Sequence, residues 1–198
     1  MKQLTLIFGP GRSGTSLVAQ IISNLGTFSG DDLIAADSYN PDGYFEDRKV
    51  VSLHKELLTS FGIVDTSTGR LPLPANWLSA EQTKITENKL LDHIEKQFTT
   101  NQSIAIKDPR LSLLLPLWEK ITRSADIQLK SILCVRSPIA VSLSQSKVSG
   151  FPLPMCEAMW TNRTAHALHY LRHEGLIVDY DELIDQPTIT SQSIIEYT

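Results

Sequence analysis

Four short apolar runs punctuate the chain: LTLIF (Leu4–Phe8), SIAIK (Ser103–Lys107), KSILCV (Lys130–Val135) and LIVDY (Leu176–Tyr180). Each is too short for a helix and lacks the strict alternation of a half-wet strand, so each predicts a strand buried on both faces. The stretches between them have helical spacing. Leu17, Ile21, Ile22 and Leu25 recur after the first run, and SAEQ (Ser79–Gln82) offers a capping box ahead of Ile85, Leu90, Leu91, Ile94 and Phe98. A further helix is predicted over Met155–His173, closed by Gly175. Strands alternating with helices predict an α/β fold, three layers deep, with a central parallel sheet covered on both faces. Ligands of such sheets bind at the carboxyl ends of the strands. That rule gathers Gly9–Ser16, Lys107 and Arg136 at one edge, while Thr66–Trp77, rich in Pro, Gly, Ser and Thr, reads as a long loop.

The first strand hands over to the first helix through GPGRSGTSLV. Gly9, Gly14 and Ser16 fit the phosphate-binding pattern G-x-x-x-x-G-K-[ST], but Thr15 stands where the lysine belongs. Gly9, Gly11 and Gly14 allow the backbone to wrap an anion with successive N–H groups. The helix start, the Ser13, Thr15 and Ser16 hydroxyls and the forked guanidinium of Arg12 add further donors. A phosphoryl-transfer enzyme normally needs the missing lysine and an acid for magnesium. No such acid is evident at the end of the second or third strand.

Composition narrows the field. The chain has 198 residues, enough for one sizeable core, so residues 1–198 read as a single domain. A net charge of -4 argues against a general nucleic-acid or anionic-membrane binder. No run is long enough to span a membrane, and LTLIF is too short for a signal-peptide core. Cys134 and Cys156 form neither a disulfide framework nor a metal-ligand spacing, and Cys134 lies in an apolar strand. A reduced, cytoplasmic protein is expected. His166, His169 and His173 share a helix face, which is expected to be packed or solvated.

A second motif, VRSPIAVSLSQS, puts Arg136 just past the third strand and Ser144 eight positions on. With both motifs in this order, the chain resembles the sulfotransferases that use 3′-phosphoadenosine 5′-phosphosulfate (PAPS). IKDPR (Ile106–Arg110), NPDGYFEDRKVVSLHKELL and LIVDYDELIDQP resemble further segments of that family, notably its bacterial, carbohydrate and protein-tyrosine branches, so the likeness runs from Leu4 to about Pro187. It implies a P-loop NTPase-like fold in which Gly11, Arg12, Ser13, Gly14, Thr15 and Ser16 cradle the 5′-phosphosulfate. Arg136 and Ser144 would hold the 3′-phosphate.

The implied reaction is in-line transfer of a sulfuryl group to a hydroxyl or amine, driven by positioning and charge stabilisation. Arg12 and Lys107 would neutralise the bridging oxygen, and no metal is required. A general base is expected, with Glu46 first and Asp47 and His54 behind it. Residues 33–77 are expected to form an acceptor-side insertion or lid, with Tyr39, Tyr44, Phe45 and Trp77 available for apolar or stacking contacts. Asp108 and Arg110 are expected to pair and cap the following helix. The acceptor could be a small molecule, a carbohydrate or a peptide, and nothing in the sequence states the oligomeric state. Leu17 replaces a tryptophan common in relatives, and no basic glycine-containing loop precedes Thr198, which leaves adenine recognition unassigned. A P-loop small-molecule kinase and a non-catalytic nucleotide-binding relative therefore remain alternatives.

Overall fold

The structure, a computed structural model, describes residues 1–63, 73–171 and 175–198. Most of the expected Thr66–Trp77 loop, and His173 with the end of its helix, lie outside the described residues. Strands β1 (Gln3–Phe8), β2 (Ser103–Lys107), β3 (Gln128–Val135) and β4 (Leu176–Asp179) form a four-stranded sheet in the order β2-β1-β3-β4. Every pairing is parallel, with Ile7 opposite Lys107, Phe8 opposite Leu133 and Val135 opposite Asp179. Phe28 adds an isolated parallel bridge to Ile104 at the β2 edge.

Alternation along the strands sorts the core into two layers. Leu4, Leu6 and Phe8, with Ile104, Ile106 and Leu133, pack against helices α2 (Arg48–Ser60), α3 (Glu81–Gln97), α4 (Leu111–Ser124) and α6 (Leu153–Leu171). Ile7, Ala105, Ile132, Cys134 and Val178 face α1 (Thr15–Asn24), α7 (Tyr180–Asp185) and α8 (Pro187–Tyr197). Helix α5 (Pro138–Ser149) begins with Pro138, and the Ser137 hydroxyl accepts from the Ala140 N–H. The expected α/β architecture with a central parallel sheet is thus the observed one. Among the described residues no helix is long and apolar enough to cross a membrane.

Local details depart from the sequence reading. Ser79 does not cap α3: it ends a 3-10 turn (Trp77–Ser79) and its hydroxyl donates to the Asn76 carbonyl. Ala80 holds the cap position, and Thr83 ties the helix start to the Trp77 carbonyl at 2.6 Å. The buried face of α3 follows Thr83, Thr86, Leu90 and Ile94, which leaves Ile85 48% exposed. Trp77 is buried in the core. Cys134 is fully buried, and desolvation pushes its thiol up to about 12.

Candidate functional site

β1 connects towards β2 on one side and has β3 on the other, so a crevice opens where their carboxyl ends diverge. The loop between β1 and α1 fills it. Gly9 has φ 144°, and a Cβ there would lie 2.2 Å from the Cys134 carbonyl oxygen. Only glycine lets the loop pass so close to β3. Arg12 (φ 71°) and Gly14 (φ 85°) are both left-handed, the kind of backbone alternation that turns N–H groups towards an anion. Ser13 takes an internal role: its N–H and its hydroxyl, the latter at 2.6 Å, both donate to the Pro10 carbonyl, and its side chain is buried.

A cleft of about 390 Å³ lies over this loop. Gly11, Arg12, Gly14, Thr15 and Ser16 form its floor, with Lys107 and Glu46 at one side and Arg136 and Tyr180 at another. Arg12 Nε donates to Ser144 Oγ at 3.0 Å, and Arg136 reaches the Arg12 carbonyl at 3.4 Å. Ser144 thus meets the loop through Arg12 and does not itself line the cleft. The Arg136 guanidinium lies 4.3 Å from the centre of the Tyr180 ring. Its Nε is buried without a hydrogen-bond partner, and Asp181 Oδ1 is 3.6 Å away. Another cavity, of about 380 Å³, sits away from this edge, by Leu129 and Ser131 at the start of β3.

Lys107 closes β2 and donates to Glu46 Oε1 at 2.6 Å. Phe45, with φ 55°, turns the chain immediately before Glu46. Such a left-handed bulky residue is uncommon and costs backbone energy, which is the kind of strain found at functional sites. Burial raises the Glu46 carboxyl above the usual glutamate range; Lys107 offsets part of this, while the Asp108 charge adds to it.

The other two base candidates have structural partners. Asp47 caps α2 by accepting from the Val50 N–H, and its second oxygen accepts from His93 (2.9 Å) and Gln97 (3.0 Å). Burial would raise its carboxyl, but these bonds hold it below the ordinary value. His54 is fully buried; Trp118 Nε1 donates to its Nε2 at 3.0 Å, and its Nδ1 faces Asp108 Oδ2 at 2.7 Å. An Nε2 that accepts assigns the proton to Nδ1, so the ring donates to Asp108 and has no lone pair directed at the cleft. Arg110 pairs with Asp108 at 2.8 Å, as expected, and the Arg110 N–H also donates to that carboxylate, but the cap position of α4, held by Arg110, has no side-chain cap bond. Burial opposes the Asp108 charge, but Arg110 and His54 hold its carboxyl far below the usual range.

Part of the segment expected on the acceptor side covers the loop. Asn40 donates to Ser16 Oγ (3.1 Å), and Arg12 donates to the Tyr39 carbonyl (3.2 Å). Tyr44 and Phe45 line the cleft above it. Asn40 and Tyr180, with Gln20, Asp42, Gln145 and Val148, are cleft residues that sequence reasoning did not pick out. Tyr180 follows β4 directly, so the edge rule that selected Arg136 could have found it; Asn40 sits in an irregular turn with no such signal. His166 and His169 flank Tyr170 in ring contacts, and among the described residues no cluster of three ligating side chains could hold a metal.

No family model matches the chain, and no curated protein does. Solved structures do. The sulfotransferase domain of the Synechococcus PCC 7002 olefin synthase aligns with the whole chain and 72% of its own length, at 17% identity and TM-score 0.59. The sulfotransferase domain from the curacin biosynthetic pathway aligns with the whole chain and 74% of its own, at 13% identity and TM-score 0.56. A gluconokinase from Sinorhizobium meliloti 1021 aligns over 98% of this chain and 94% of its own, at 13% identity and TM-score 0.51. At such identities the likeness establishes the fold: a P-loop-like α/β architecture common to sulfotransferases and kinases.

Proposed function

We propose that the protein is a PAPS-dependent sulfotransferase acting on a hydroxyl or amine acceptor. The observation that carries this reading is the meeting of two motifs more than a hundred residues apart: Arg136 and Ser144 both engage Arg12 of a phosphate loop that has no lysine. The cleft suits the donor's anionic groups. The loop offers backbone N–H groups and the Thr15 and Ser16 hydroxyls to the 5′-phosphosulfate, and Arg136, whose buried Nε has no hydrogen-bond partner and lies 3.6 Å from the Asp181 carboxylate, suits the 3′-phosphate. Bound there, PAPS would supply an activated sulfuryl group.

The chain's own residues then have distinct tasks. Glu46, raised by burial, accepts the acceptor's proton as the acceptor oxygen forms the new S–O bond. The Lys107 ammonium and the Arg12 guanidinium would meet the charge that grows on the bridging oxygen as it leaves with the electron pair of the broken S–O bond. Lys107 and Glu46 are in contact beforehand. Drawing Lys107 onto the leaving oxygen removes the counter-charge from Glu46 and so strengthens it as a base.

The likeness to a gluconokinase supports a second reading, a P-loop kinase. Contrary to the reading of the strand ends, an acid does directly follow β2, but that residue, Asp108, is committed to His54 and Arg110, which leaves it poorly suited to a magnesium ion. Calorimetric titration of adenosine 3′,5′-bisphosphate, against ATP with magnesium, on the wild type and on Arg136→Ala separates the readings. Bisphosphate binding that collapses in Arg136→Ala is the expected result. Preference for ATP with magnesium, or indifference to Arg136, overturns it. Bisphosphate binding without transfer to any acceptor would indicate a non-catalytic relative.

A further inference from the structure

Glu46 borders two cavities. One is the donor cleft; the other, of about 430 Å³, has walls from the turn between β2 and α4, from α5, from α6 and from the connection between these two helices. Pro109, Gln145 and Val148 also line both, so the cavities adjoin along an edge that carries Glu46. Beyond that edge the second cavity has a different chemistry. Phe151 and Met159 give it apolar surface, while Arg110 and Arg163 bring guanidinium groups to it. Among the described residues that line it, Glu46 is the only acid, and Lys107 already balances that charge at 2.6 Å.

We propose that this second cavity is the acceptor subsite, and that the acceptor is a small hydroxyl compound with an apolar body and a carboxylate or similar oxyanion remote from the hydroxyl. The inference rests on the sulfotransferase reading, since it takes Glu46 as the base that receives the hydroxyl proton. The cavity has the size of a small-molecule site. Its shared edge puts the hydroxyl between Glu46 and the donor cleft. Arg163, which lines the second cavity and not the donor cleft, receives the anionic end, and Phe151 and Met159 cover the body between. A guanidinium carries five donors in a fork, so Arg110 can hold Asp108 through Nη1 and still contribute charge, and Arg163 can serve a neighbour and an anion together. Of residues 33–77, Glu46 thus reaches the acceptor wall, whose remainder comes largely from α5, α6 and the connection between them, while Tyr44 and Phe45 line the donor cleft and Trp77 is in the core.

The test is a pair of binding titrations at saturating adenosine 3′,5′-bisphosphate. The probes are 3-(4-hydroxyphenyl)propanoate and its neutral match 3-(4-hydroxyphenyl)propan-1-ol, accompanied by a straight-chain ω-hydroxy carboxylate and the matching diol. The wild type is expected to prefer the carboxylates by about tenfold or more. Arg163→Gln is expected to erase that preference and leave bisphosphate affinity unchanged. Phe151→Asp, in the connection between α5 and α6, is expected to reverse it, and serves if Arg163→Gln does not fold. Equal binding of each matched pair, a preference that survives both variants, or no binding of any probe overturns the proposal. Bisphosphate affinity of the wild type, measured alone, judges the donor reading separately: no bisphosphate binding would sink that reading and with it the acceptor role, whereas bisphosphate binding without a carboxylate preference sinks this subsite alone.

Discussion

Lys107 and Glu46, 61 residues apart in sequence, meet at 2.6 Å beside the phosphate loop, and both are almost wholly buried. Each arrives by its own local route: Lys107 as the last residue of β2, Glu46 through the left-handed turn at Phe45. A buried ion pair is worth little net when intact, yet removing one partner strands the other.

Lys107→Ala is therefore expected to destabilise the fold by about 3 kcal/mol, read as a shift in denaturant midpoint. Glu46→Gln behaves differently. It keeps an acceptor for Lys107 and removes a charge that burial disfavours, so stability should stay within about 1 kcal/mol while turnover falls by roughly a hundredfold or more. Melting curves and initial rates on the same preparation check both halves.

The pH dependence of Glu46 follows from its raised carboxyl. A folded carboxyl above the usual 4.5 stabilises the fold most when protonated, and this contribution fades as pH rises through the folded value. The base must be ionised, so the rate should fall as pH drops through that same raised value. An acid limb at or below 4.5 in kcat/KM would remove Glu46 from the role.

Asp47 has the opposite sign. Its folded carboxyl is lowered, so its stabilisation is present above the ordinary value of 3.8 and is lost as pH falls through the folded one. Asp47→Ala removes the α2 cap and leaves His93 and Gln97 without their shared acceptor, at a cost of about 2–4 kcal/mol near neutral pH. The gap between variant and wild type should narrow in acid, as urea melts at neutral pH and near pH 3 would register.

Two glycine substitutions separate local backbone strain from collision. Gly43 is left-handed (φ 95°) with open space around its missing Cβ, so Gly43→Ala should cost about 1–2 kcal/mol. Gly9→Ala adds a collision with the Cys134 carbonyl at 2.2 Å, which neither strand can relieve without breaking register. A loss of 3 kcal/mol or more is expected, measured by chemical denaturation.

Tyr180 supports Arg136 by stacking at 4.3 Å. Tyr180→Phe preserves the ring and should leave bisphosphate affinity unchanged. Tyr180→Leu should weaken it by about three- to tenfold. Equal affinities for the two variants would show that the stack does not position the guanidinium.

What the sequence determined by itself is what local pattern carries. The apolar runs placed β1, β2 and β4 almost to the residue and β3 with only its first two residues missed, because a strand buried on both faces needs continuous apolar side chains. The spacing of Gly9, Gly14 and Ser16 located the loop, and the parallel-sheet rule put Lys107 and Arg136 at its edge. Choosing among Glu46, Asp47 and His54 was beyond such patterns. All three stand within one short stretch, and their roles depend on partners far away: Lys107 for Glu46, His93 and Gln97 for Asp47, Asp108 and Trp118 for His54. The same holds for Ser79, displaced from its cap by a 3-10 turn, and for Asn40, which reaches Ser16 only once the chain folds back over the loop. Periodicity encodes which face of an element is buried; which side chains meet, and which carboxylate keeps its lone pairs for chemistry, is decided by packing between elements distant in the chain.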